Sequence, residues 1–157
     1  MPSVIPATQI WNEAYGVFGK GPVFSVPRDA KVVCPDYDWF VDEFIPKLDQ
    51  VTLPYVSEAY DCEDFCAEAQ VLMTRSVRPN YKTGHTLNYV ELQIPPGQEL
   101  HRVQGGERGQ WHATNVVRFS DGRWFFFEPQ PGPINRRLTQ AFTIMDSVRP
   151  AVREVRL

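Results

Sequence analysis

An α+β fold is the class this sequence predicts, and three observations predict it. Apolar residues recur at helical spacing in two stretches before residue 80. Near residue 85 the period changes to alternation, and Ser120-Asp121-Gly122 then divides two strand-like runs in the manner of a hairpin. Helices followed by strands, rather than alternating with them, point to an antiparallel sheet with helices packed against it. At 157 residues the chain is expected to be a single domain with a real core, residues 1–35 forming an ordered N-terminal arm.

Taken in order, residues 1–35 hold Gly16, Gly19, Gly21, Pro22, Pro27 and Pro35, too many breakers for a long helix. Short strand pieces are expected around Val23-Phe24-Ser25-Val26, with Trp11, Tyr15 and Phe18 tacking the arm to the body. From Asp36 to Gln50, Trp39, Phe40, Phe44 and Leu48 fall near one helical face. Asp36 or Asp38 is the cap, and Pro46 kinks or shortens the helix. Asp61 to Ser76 is the clearest helix: Phe65, Cys66, Ala69, Leu72 and Met73 form a stripe, Asp61 caps it, and Pro79 with Asn80 ends it. Strands follow at 86–94, 111–119 and 123–128, with a glycine-containing loop at 97–110 and a last strand at Phe142-Thr143-Ile144-Met145.

Composition narrows the function classes. No apolar run reaches the roughly 18 residues of a membrane span, and the N-terminus lacks a basic head and long apolar stretch, so a cytoplasmic protein without membrane contact is expected. Three cysteines, Cys34, Cys62 and Cys66, make no disulfide framework and fit a reducing compartment. Residues 35–70 carry ten Asp or Glu and a single cation, Lys47, which argues against a nucleic-acid footprint there. Residues 118–157 carry seven Arg against four acids, and this is read as a solvated face.

Within that acidic block, Tyr60-Asp61-Cys62-Glu63-Asp64-Phe65 places a thiol at the first position of the predicted helix. Unpaired backbone N–H groups favour a thiolate there, while Glu58, Asp61, Glu63 and Asp64 oppose it, so a cationic partner is required. His112 is the candidate, and Glu128 would hold its second nitrogen. Hairpin parity tests the pairing. A three-residue loop ending in left-handed Gly122 sets Thr114 opposite Glu128 and leaves His112 as the diagonal neighbour on the same face; a two-residue turn would send His112 to the other face.

The motifs Tyr-Asp-Cys-x-Asp-Phe, Trp-His-Ala-x-Asn-Val and Trp-x-x-x-Glu-Pro-Gln resemble the papain-like and transglutaminase-like cysteine protease domains, among them that of the fairy-ring mushroom agglutinin and its bacterial and viral relatives. The resemblance spans about residues 36–145. It implies a cysteine peptidase acting on a peptide or protein substrate through an acyl-enzyme, with Cys62 as nucleophile, His112 as general base and acid, and Glu128 as orienting acid. Gln130, Trp111 and Asn115 are candidates for oxyanion or substrate contacts. No cofactor is required; calcium is a candidate near Asp61, Glu63 and Asp64, as the resemblance implies.

The alternatives are a transglutaminase-like acyltransferase and a non-catalytic structural or virion-associated module that keeps the fold. For Cys62 the plain alternative is a buried structural thiol. A zinc site from Cys62, Cys66 and His85, His101 or His112 lacks any Cys-x-x-Cys or His-x-x-x-His pair. His85 and His101 are expected in solvated loops, and Cys34 and Cys66 in the core.

Overall fold

The computed structural model describes residues 1–19, 22–25, 29–54, 62–93, 111–131, 138–140 and 151–157. The expectations for the Asp61 cap, for loop 97–110 with His101 and for a strand at 142–145 lie outside these residues. Two sheets organise the rest. In the smaller, β1 (Ser3–Pro6) pairs antiparallel with β3 (Lys31–Cys34), which pairs parallel with β4 (Gly84–His85). The larger has the order β2-β9-β5-β6-β7-β8, built from Val23–Ser25, Ala151–Arg156, Leu87–Gln93, Trp111–Arg118, Trp124–Phe127 and Leu138–Gln140. Its pairs are antiparallel except β2 with β9, which is parallel.

Alternation along these strands gives the large sheet two apolar faces. Val90, Leu92, Val116, Trp124, Phe126 and Val155 point to one side and meet Ile10, Ala14, Val17 and Phe18 of helix α1 (Ala7–Phe18). Leu87, Val117 and Phe127 point to the other, where Phe40, Phe44, Leu48, Ala69, Met73 and Val77 cover them. Helices therefore lie on both faces of the sheet.

This corrects the expected papain-like or transglutaminase-like architecture of N-terminal helices packed on an antiparallel sheet: there are two sheets, each with one parallel pair, and helices cover both faces of the larger. The N-terminal segment is not an arm: Ile10, Ala14, Val17 and Phe18 keep helical spacing through Gly16, so the segment buries a stripe and becomes a core layer. Buried Arg118 anchors that layer. Its guanidinium donates to both Glu13 oxygens, at 2.6 and 3.0 Å, to the Phe119 carbonyl at 3.0 Å and to Cys34 Sγ at 3.4 Å; the Trp124 indole N–H donates to Glu13 Oε2 at 3.1 Å.

Residues 37–51 form one helical run in three parts: α2 (Tyr37–Trp39), a π-helical turn (Phe40–Phe44) and α3 (Ile45–Val51). Asp36 caps the run, accepting from the Trp39 N–H at 3.4 Å. The Ile45 N–H reaches back five residues to Phe40. The wider turn seats Pro46 at the start of α3, where its missing N–H breaks no helical bond, so the run continues through it.

Helix α4 (Cys62–Tyr81) packs on β5 and β6. It runs past Pro79, which stands in its last turn, and ends where the Lys82 N–H bonds the Arg78 carbonyl at 2.9 Å. Lys82 there has φ +53°, a left-handed position that glycine usually fills and that costs another residue about 1 kcal/mol. His85, expected in a solvated loop, is enclosed instead. Its Nδ1 accepts from the Leu87 N–H at 3.3 Å, and Nε2 lies 3.1 Å from the Gln70 carbonyl and 3.0 Å from Thr74 Oγ1. Burial lowers its pKa despite these bonds.

Candidate functional site

The β6–β7 hairpin positions the imidazole. Arg118 pairs with Trp124, and Phe119 and Arg123 close a loop of Ser120, Asp121 and Gly122. The Gly122 N–H bonds the Phe119 carbonyl at 3.0 Å, and Gly122 takes φ +90°, which resists any side chain. Asn115 pairs with Phe127, so the next pair in register joins Thr114 to Glu128, with His112 diagonal to that carboxylate. His112 Nε2 lies 3.0 Å from Glu128 Oε2, and Glu128 Oε1 accepts the Gln130 backbone N–H at 3.0 Å. Glu128 is buried, so its carboxylate is fixed rather than merely near.

Cys62 opens α4, half-buried, and lies close enough to His112 to help raise the imidazole's pKa. Burial works against a charged imidazole most strongly. The hydrogen bonds to Cys62 and Glu128 and the charge of both partners outweigh it, and together hold the His112 pKa up at about 9. At neutral pH the imidazole is therefore protonated between a thiol sulfur and a carboxylate. An imidazole held in this state can hand a proton to a neighbouring group.

The remaining predicted site residues separate. Trp111 is 48% exposed beside His112, with the Arg153 guanidinium 5.6 Å from its ring and bonded to Glu91 at 3.2 Å. Asn115 is fully buried on the opposite strand face from His112 and donates to the Asn88 carbonyl at 3.2 Å, so it holds two strands together. Gln130 contributes its backbone N–H to Glu128. Cys66 is buried one helical turn from Cys62 in a cluster with Tyr89 and Ala113. Among the described residues no group of three or more His, Cys, Asp or Glu stands together as a metal site; of the calcium candidates, Asp61 is outside those residues, and Glu63 and Asp64 are exposed in the first turn of α4. No helix among the described residues is long and apolar enough to cross a membrane.

Sequence reasoning missed an open cavity of about 610 Å³ between the C-terminal half of α4, β4 and the last strand, lined by Arg78, Lys82, His85, Asp29 and Arg156 among others. Its one sequence signal is the Lys82-Thr83-Gly84 turn that follows α4.

No protein-family description and no curated protein matches the sequence. Solved structures share the fold. One, named as a PSL1a-E64 complex, is 13% identical with a TM-score of 0.69, over 98% of this chain and 50% of that one. Another, Polyporus squamosus lectin bound to the human-type influenza-binding epitope Neu5Acα2-6Galβ1-4GlcNAc, is 14% identical with a TM-score of 0.68, over 98% of this chain and 49% of that one. The chain thus spans about half the length of the chains it matches. These neighbours overturn the family expectation: the fold is shared with a lectin, and the papain-like or transglutaminase-like assignment, with the cysteine peptidase, its peptide substrate and its acyl-enzyme, is withdrawn.

Proposed function

We propose that the chain is a non-catalytic binding module of a lectin-type protein, with a glycan as its ligand. The observation that carries this reading is the fold likeness to Polyporus squamosus lectin across 98% of the chain. Exposed Trp111 suits it: an indole face flanked by Arg153 and Glu91 offers an apolar platform with polar groups at its rim, the makeup of a saccharide subsite. A glycan array probed with the purified chain tests the proposal, with a sialylated lactosamine among the expected ligands. An array without a bound glycan would refute it.

One specific geometry favours a second property of the same chain. Cys62 is proposed as a reactive thiol, with His112 as the base that keeps its proton and Glu128 as the carboxylate that orients the imidazole. The 3.0 Å contact of His112 with buried Glu128 and the raised His112 pKa support it. So does the E64 complex of a protein of similar fold. Iodoacetamide labelling followed by mapping of the modified cysteine is the test. Cys62 should be modified well before Cys34 and Cys66, and equal modification of all three in the folded chain would refute it.

A further inference from the structure

We infer that the open cavity at the C-terminal end of α4 is a binding site for a saccharide carrying an anionic group, with Arg78 and Lys82 taking the charge and Asp29 accepting from hydroxyls. This inference rests on the glycan-binding reading above and deepens it by naming the ligand class and a place for it.

Three observations carry it. The cavity, at about 610 Å³, lies within the size range of small-molecule sites. Arg78 and Lys82 both line it, and neither has an ion-pair partner among the described residues; the third cation, Arg156, is held by Glu154 at 3.0 and 3.1 Å. Two cations a helical turn apart that both line one cavity, neither held in an ion pair among the described residues, can share an anion between them. Lys82 stands at φ +53°, where glycine would close the helix with less strain, so the lysine side chain rather than its backbone explains the residue there.

The floor of the cavity is built for a polar ligand as well. A Cβ on Gly84 would stand 2.7 Å from Asp29 Oδ2, so glycine at 84 is what lets this carboxylate lie against the β4 backbone. Thr74 and His85, hydrogen-bonded to each other and to Gln70, complete a fixed wall. A carboxylate and two cations lining one cavity suit a ring that carries both an acidic group and hydroxyls.

Isothermal titration calorimetry of Neu5Acα2-6Galβ1-4GlcNAc against neutral Galβ1-4GlcNAc tests this, using the full chain, Arg78→Gln and Lys82→Gly. The acidic glycan should bind more tightly than the neutral one, and each variant should lose about tenfold in affinity for it. Lys82→Gly should keep or raise the melting temperature, which separates lost binding from lost folding. Equal affinity for both glycans, or an affinity that neither substitution changes, overturns the cavity site and leaves the lectin reading standing. If neither glycan binds, the lectin reading fails, and an NMR titration with glucuronate decides the cavity. Shifts at Thr74, His85 and Asn88 that vanish in both variants keep it as an acidic-sugar site, and unmoved resonances overturn it.

Discussion

His112 is the residue of the site whose pKa is held up by its partners. Removing its charge by His112→Ala should slow Cys62 alkylation about tenfold or more near neutral pH, leaving reactivity to rise only as alkali ionises the thiol. Glu128→Gln should slow it less, because the amide still holds the ring but no longer stabilises its charge. The imidazole also enters the stability of the fold. Its folded pKa, about 9, lies above the ordinary 6.5, so its stabilising contribution is whole below 6.5 and is lost as pH rises through about 9. His85 has the opposite sign: burial disfavours its proton, so acidification through 6.5 should destabilise the wild type more than His85→Gln, measurable as melting temperature against pH. The His112–Glu128 contact was legible because strand parity and one turn residue fix the relative positions of those two side chains. His85 was not, since the residues that enclose it, Gln70 and Thr74, belong to a helix distant in sequence.

At the scale of elements, two pieces hold the site in place. The first is the loop of the β6–β7 hairpin. Gly122→Val should cost about 2 kcal/mol, since φ +90° is forbidden to a β-branched residue, and by shifting the register of Glu128 it should also slow Cys62 labelling. Urea unfolding and the labelling rate measure the two effects separately. The second is α1, clamped by Glu13 and Arg118. Glu13→Ala leaves a nearly buried guanidinium with half its partners and should cost roughly 3 kcal/mol, read from urea midpoints, whereas exposed Glu43→Ala should cost little. The hairpin was readable because alternation and turn chemistry are local. The α1 layer was hidden by glycines and prolines at its borders, and the partner that neutralises Glu13 lies 105 residues away. Strands β8 and β9 were missed for a related reason: each is short or lies at a sheet position that only long-range pairing defines.

At the scale of the whole molecule, local periodicity identifies helices and strands but not how many layers they make. The α4 helix and strands β5 to β7 follow from the sequence, while the second helical layer and the parallel β2–β9 and β3–β4 pairs follow from contacts between distant segments. Three short motifs around Cys62, His112 and Glu128 suggested an enzyme family, while one solved structure matched over 98% of this chain and 49% of its own carries the name of a lectin. Motifs report local chemistry, and a fold can carry that chemistry alongside a different function. The measurement that tests the central claim most directly is glycan binding by the wild-type chain and by Cys62→Ser, side by side on one array. A non-catalytic binding module predicts the same glycans bound with the same affinity by both proteins. No glycan bound by either, with a peptide cleaved by the wild type alone, would contradict it.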